Sequence, residues 1–188
     1  MVMNAGRPTG HSAIYPVCPV IERKVSIGGL TKVELLERLR RSGVQMNQAA
    51  EILFASEQFI PAEMCSQLRT VELCIRNLGF SNGGKILDIY ASAKSLGLSL
   101  CPVELGPQLR LQLQDQPEGF VGRPVYEHRA PPGSITIASN ILSNDDDFPK
   151  GFYLRRIEGT LWLRGYRSGL EHIWDPDDHF VFVRGRGG

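Results

Sequence analysis

Apolar side chains recur at two spacings along the chain, and each change of spacing marks where a helix gives way to a strand. Residues 20 to 27 have the pattern of a short strand. Thr31 and Glu34 then occupy the N-cap and N3 positions of a capping box, with Leu30 and Leu35 at the two sites of a hydrophobic staple. Leu35, Leu36 and Leu39 form the buried stripe of this helix, and Gly43 is its expected stop. Asn47 suits the cap of a second, shorter helix that turns Ala50, Ile52 and Leu53 inward, and Pro61 closes the region.

From Arg69 the period becomes two. Val71, Leu73 and Ile75 alternate with Thr70, Glu72, Cys74 and Arg76, which predicts a strand with one face on the core. Residues 79 to 84 form a loop, after which Ile86, Leu87, Ile89, Tyr90, Ala93 and Leu96 return at helical spacing up to Gly97. Residues 98 to 103 have strand character. Residues 108 to 114 alternate regularly, with Leu109, Leu111 and Leu113 on one side and Gln108, Arg110, Gln112 and Gln114 on the other. That alternation predicts a strand with one core face and one polar face. A long connection rich in proline and glycine covers 115 to 133, a strand follows over 134 to 139, and Asp145, Asp146 and Asp147 mark an exposed turn.

The most informative pattern lies at 152 to 166. Glu158 and Gly159 separate two strand-like runs, so a two-residue turn pairs Ile157 with Thr160, Arg155 with Trp162, and Tyr153 with Arg164. Phe152, Leu154, Leu161 and Leu163 then share the core face, with Arg156 at its turn end, and the other face carries alternating arginine and aromatic groups. Such cation-π pairs contribute roughly 0.5 to 1 kcal/mol each when exposed. The same groups serve either to brace a solvated sheet surface or to offer stacking and paired donors to a planar or anionic ligand. If the 108 to 114 strand lies in this sheet, Arg110 extends the surface. A final strand over 180 to 184 alternates Phe180 and Phe182 with Val181 and Val183, as expected of a strand buried on both sides.

These elements predict an α+β fold. An irregular arm covers residues 1 to 20, and a single compact domain covers 21 to 188. The domain is helix-rich over 31 to 97 and β-rich over 98 to 184, where a mostly antiparallel sheet contains the hairpin. The 188 residues suffice for one good core, and 42% hydrophobic with 22% charged residues is ordinary globular composition. Twenty-one Lys and Arg against 20 Asp and Glu leave a net charge of +1, too little to capture duplex nucleic acid or anionic lipid by its long-range field. Any anion recognition must therefore be local, and arginine, which outnumbers lysine here, is the cation suited to it.

Cys18, Cys65, Cys74 and Cys101 have no zinc-site spacing, and Cys74 and Cys101 sit in apolar runs as small buried hydrophobes. Free thiols imply a reducing compartment. Pro16 and Pro19 break any apolar signal-peptide core, and no run is long enough to span a membrane, so a cytoplasmic protein is expected.

Candidate chemistry is sparse. Gly79, Gly84 and Lys85 match a phosphate-loop spacing between a predicted strand and a predicted helix, but Ile86 replaces the Ser or Thr that would hold magnesium. His172, Asp175, Asp177, Asp178 and His179 crowd one segment, yet lack the alternation of a calcium loop and the helical spacing of a zinc protease, and the Asp-Pro and Asp-Asp steps fit a plain turn. Glu104, Asp115, Glu118, Glu127 and His128 flank or occupy the long connection and are the candidate acid/base groups. Nucleophilic use of Cys101 or Cys74 would need a base that the sequence does not reveal.

The segments LCPVELGPQLRLQ, APPGSITIAS, KGFYLRRIEGTLWLRGY and WDPDDHFVFVR resemble those of a group of uncharacterised bacterial proteins, with the likeness reaching back to the capped helix at Thr31. The resemblance implies a bacterial, cytoplasmic protein and assigns no site residue. The residues themselves favour a binding protein that presents Tyr153, Arg155, Trp162, Arg164 and Arg110 to a small anionic or aromatic, nucleotide-like ligand or to single-stranded nucleic acid. No cofactor, metal or membrane enters that reading. The alternatives are a small hydrolase or nuclease using groups of the 104 to 128 region, and a subunit interface built on the same face.

Overall fold

The computed structural model describes residues 18–119 and 130–185. The elements in chain order are β1 (Ile21–Ile27), α1 (Lys32–Arg41), β2 (Gln45–Met46), α2 (Gln48–Ala55) and β3 (Ser66–Cys74). A 3₁₀ turn at Ile75–Leu78 leads to β4 (Gly84–Lys85), α3 (Ile86–Ser95), β5 (Leu98–Ser99) and α4 (Leu105–Gln112). Then come β6 (Ile135–Ile137), β7 (Gly151–Ile157), β8 (Thr160–Tyr166), β9 (Ile173–Trp174) and β10 (His179–Arg184). Most of the predicted arm, residues 1–17, lies outside the described residues, as do Glu127 and His128.

One mixed sheet dominates, in the order β1-β3-β10-β6-β7-β8-β2, with β5 also pairing with β10. Its pairings are antiparallel except β10 with β6 and β2 with β8. The α+β character is as expected, and the division into a helix-rich first half and a β-rich second half holds only loosely. β1 and β3, from the first half, belong to the same sheet as the hairpin, and α4 falls in the second half.

Because side chains alternate, the paired strands sort their residues onto two faces. Val25, Ile137, Leu154, Leu163 and Val181 meet Leu35, Leu39, Leu53, Leu105 and Leu109 from α1, α2 and α4 in one core. Val71, Leu73, Phe180 and Phe182 on the opposite face meet Ile86, Ile89 and Ala93 of α3 in a second. Three helices cover one face, whereas α3 covers only the β3-β10 end of the other, and among the described residues no helix covers the hairpin end of that second face.

The helix signals of the first half appear as expected. Thr31 Oγ1 accepts from Glu34 N, and Glu34 Oε2 accepts from Thr31 N at 2.8 Å, completing the capping box. Asn47 does more than cap. Its Oδ1 accepts from Ala50 N at 3.0 Å and from Gly165 N at 2.8 Å, while its Nδ2 donates to Gly165 O at 3.0 Å. One amide side chain thus starts α2 and ties it to the C-terminal end of β8. The approach is close enough that a Cβ on Gly165 would stand 2.6 Å from Ala49 C, so only glycine fits.

The predicted strand over 108 to 114 is instead α4. The leucine alternation coincides with helical spacing, since Leu105 and Leu109 lie four apart and are buried on the same core while Leu111 and Leu113 pack partly against it. Pro107 falls in the first turn, where no intrahelical N–H bond is required of it, and the Leu, Gln and Arg that follow are good helix formers. The strand expected over 98 to 103 shortens to Leu98–Ser99 plus an isolated bridge from Cys101 to Ser139. Among the described residues no helix is long and apolar enough to cross a membrane.

Replacing Asn47 by alanine removes a cap worth about 1 kcal/mol and two further backbone bonds worth about 1 kcal/mol each. Asn47→Ala is expected to lower the unfolding free energy by about 2 to 4 kcal/mol in urea, against about 1 kcal/mol for Thr31→Ala. Equal losses for the two variants would contradict the bridging role of Asn47.

Candidate functional site

The hairpin turn places Glu158 at φ 50° and Gly159 at φ 75°, the left-handed pair that matches the twist of adjoining strands. The resulting register is the one its sequence predicts: Ile157 opposite Thr160, Arg155 opposite Trp162, Tyr153 opposite Arg164. Phe152, Leu154 and Leu163 are fully buried beneath it. On the outer face Tyr153, Arg155, Trp162 and Arg164 are all half-buried. The Arg164 guanidinium lies 5.1 Å from the Trp162 ring centroid, so this stacking contact runs along β8 between residues two apart. The Nε atoms of Arg155 and Arg164 are buried and find no acceptor among the described residues. Burial also pushes the Arg155 guanidinium below its ordinary pKa, opposed in part by Tyr153.

A cleft of about 380 Å³ opens on the same face, beside the hairpin's N-terminal end. Thr136 of β6 and Tyr153 of β7, which stand opposite each other, form its floor with Tyr166 of β8, which stands opposite Gly151 two residues along on the same face. The segment after β8 supplies Arg167, His172 and Trp174 as walls. Pairing of β9 with β4 holds that segment in place. Trp174 is wedged edge-to-face among Tyr166, His172 and Phe180, with ring centroids 5.4, 5.1 and 4.9 Å away. Its indole Nε1 is buried and has no acceptor among the described residues. Burial pushes the Tyr166 hydroxyl up to about 12, so it is a neutral group at physiological pH. The cleft combines aromatic walls, hydroxyls and an arginine, in the size range of small-molecule sites.

Arg110 does not join this surface. It lies in α4, on the opposite side of the sheet, with none of its area exposed. Its guanidinium donates to Gln116 Oε1 at 2.5 Å and to Leu113 O, and Gln116 in turn donates to Gly133 O and Leu154 O. Burial, together with the charge of Arg156, pushes Arg110 down to about 10. It is an internal strut beneath the hairpin.

The acid/base candidates do not converge. Glu104 is buried and accepts from the amides of Gly28 at 3.1 Å and Ala62 at 3.0 Å, which makes it an anchor for two loops. Glu118 accepts from Gly159 N at the hairpin turn, and Asp115 is exposed. Gly84 and Lys85 form β4 rather than a phosphate-cradling loop, and the Lys85 ammonium donates to Glu171. In the acidic segment Asp178 accepts from Asp175 N at 2.8 Å and Asp177 binds Arg76, the turn its sequence suggests. Among the described residues no three His, Cys, Asp or Glu side chains are grouped to hold a metal ion.

One arrangement escaped the sequence. His179 stands opposite Cys74 on the neighbouring strand and is bonded on its other ring nitrogen to Glu72. The only local signal was a carboxylate two residues before a cysteine on the polar side of β3. The partner histidine lies 105 residues further along the chain.

Comparison with protein-family models, with curated proteins and with solved structures finds no match to this chain. What the fold defines is an α+β protein on a large, mostly antiparallel sheet.

The Glu72–His179 pair makes a pH-dependent contribution of known sign. Burial alone would raise the Glu72 carboxyl, but the hydrogen bonds and charges of His179 and Arg23 outweigh it and hold Glu72 below its ordinary value. The hydrogen bond to Glu72 raises His179 above its ordinary 6.5. The histidine contribution is therefore complete below 6.5 and is lost as pH rises through the raised value. Urea midpoints compared across this range should fall more steeply for the native chain than for His179→Gln. Parallel curves would refute the coupling.

Proposed function

We propose that the protein binds a small ligand with a planar ring and an anionic group, of nucleotide type, on the open face of the sheet. The ring would occupy the cleft floored by Thr136, Tyr153 and Tyr166, and the anion would meet the arginines of the hairpin. The observation that carries this reading is that Tyr153 belongs to both features: it is the first rung of the arginine–aromatic surface and part of the cleft floor. Two further facts support it. Among the described residues the buried donors without hydrogen-bond acceptors are the Nε atoms of Arg110, Arg155, Arg156 and Arg164 and the indole Nε1 of Trp174; three of these five, on Arg155, Arg164 and Trp174, lie on this face, and buried polar groups are ordinarily satisfied. A near-neutral chain has no general field to hold an anion, so these local donors would set the affinity.

Aromatic stacking and charge-assisted hydrogen bonds together suit a mononucleotide or the bases of a single strand. The exposed large apolar side chains, among them Val33, Ile60 and Met64, are not on the hairpin. That argues for a polar, reversible ligand at this face rather than a permanent subunit contact.

Intrinsic tryptophan fluorescence, titrated at low salt with nucleoside monophosphates and with short oligonucleotides, tests the proposal. A saturable change is expected, and Tyr153→Ala and Arg164→Ala should each weaken binding about tenfold, in line with the loss of one stacked or charged contact. Equal affinity in the variants, or no saturable change, would remove it. A dimer that dissociates on Trp162→Ala would assign the face to a subunit contact instead.

A further inference from the structure

Antiparallel pairing of β3 with β10 sets Cys74 directly opposite His179 and Glu72 opposite Val181, all on one side of the sheet. Cys74 Sγ is 3.2 Å from His179 Nε2, and His179 Nδ1 is 2.8 Å from Glu72 Oε1. The second oxygen of Glu72 accepts from Arg23 Nη1 on β1 at 2.6 Å. Glu72 is 4% exposed, whereas the His179 side chain is 42% exposed and Cys74 is partly open to solvent. A buried carboxylate that accepts from Nδ1–H fixes the tautomer, so the lone pair of Nε2 points to the thiol. Nucleophile, base and orienting acid thus stand in the order that thiol activation requires.

The surroundings narrow the chemistry. Acyl transfer needs N–H donors for an oxyanion, but the amides next along the chain are occupied: Ile75 N donates to Asp178 O and Arg76 N to Pro176 O. Arg76 is held by Asp177. A reaction that needs only a nucleophilic sulfur and a proton carrier fits the site better.

We infer that Cys74 is a peroxide-reactive thiol, with His179 carrying its proton and Glu72 as the positioning residue. The sulfur attacks one peroxide oxygen, an S–O bond forms and the O–O bond breaks. Sulfur is oxidised by two electrons to the sulfenic acid and the peroxide is reduced. The thiol proton passes through His179 to the departing hydroxide, which leaves as water. Two external thiols then return the sulfur to its reduced state: the first forms a mixed disulfide with loss of water, and the second attacks that disulfide, releasing the Cys74 thiol and leaving the two external thiols joined as a disulfide.

The charged and titratable groups around the sulfur come from every neighbouring element: Arg23 from β1, Glu72 from β3, Arg76 from the 3₁₀ turn, and Asp177, Asp178 and His179 around the start of β10, with the thiol of Cys18 nearby. Burial first, then Asp177, holds the Cys74 thiol above its ordinary value, so the resting sulfur is protonated and the proton transfer to His179 accompanies attack. Exposure alone would make Cys65, which is exposed and whose thiol faces Gly28 O, the first sulfur to react. The inferred site predicts the reverse order.

The test treats the whole folded chain with less than one equivalent of hydrogen peroxide in the presence of a 1,3-dicarbonyl sulfenic-acid probe, and follows labelling of each cysteine by peptide mass spectrometry. Cys74 should label on the order of tenfold faster than Cys65, with a rate that rises with pH through the raised pKa of His179. His179→Gln should lower the Cys74 rate about 100-fold and abolish that pH step, the scale of a positioned proton carrier. Cys65 labelling at least as fast as Cys74 in the native chain would overturn the inference, and that comparison needs no variant. An unchanged Cys74 rate or pH profile in His179→Gln would overturn it equally.

Discussion

Phe180, Val181 and Phe182 have no exposed surface, because β10 lies between β3 on one edge and β6 and β5 on the other and is covered on both faces. Burial of each such side chain contributes about 1.5 to 3 kcal/mol. Val181 enters the core shared with α1, α2 and α4, while Phe180 and Phe182 enter the core built on α3. A strand from the end of the chain therefore joins two cores whose other parts come from its beginning and middle. Neither core closes until β10 is in place, so the strands before and after it depend on a contact between distant parts of the sequence.

The same insertion organises the chemistry on both sides of the sheet. Before β10, Trp174 on β9 packs on Phe180 and forms a wall of the cleft beside the hairpin. At the start of β10, His179 faces the other way and meets Cys74 and Glu72. Between them, Asp178 folds back onto the amide of Asp175 and fixes the turn. A short stretch thus positions an aromatic wall on one face and an imidazole on the other. The Cys74–His179–Glu72 group and the floor of the cleft stand on paired strands, which keeps them in fixed positions.

What was legible in the sequence was local or periodic. The Glu158-Gly159 turn fixed the hairpin register, Thr31 and Glu34 announced α1, Gly97 ended α3, and the double-sided apolar pattern of 180 to 184 marked a central strand. The failure at 108 to 114 came from leucines that satisfy both periods, and it carried Arg110 to the wrong side of the sheet. There the better evidence was the proline in a first helical turn and the absence of β-branched residues. The cleft and the Cys74–His179–Glu72 group were not legible at all. Each joins residues from strands far apart in sequence, and strand order, unlike strand existence, leaves no local trace.

The central functional claim is that a ligand occupies the open face between the hairpin and the segment that carries Trp174. The chain has two tryptophans, and their indole N–H resonances in a ¹⁵N-correlated spectrum report on that face directly. Addition of a nucleoside monophosphate should shift both, that of Trp174 as its Nε1–H, without an acceptor among the described residues, responds to the filled cleft and that of Trp162 as the Arg164 stack is engaged. Indole signals that stay fixed while other resonances move with the ligand would place the binding site elsewhere and contradict the account.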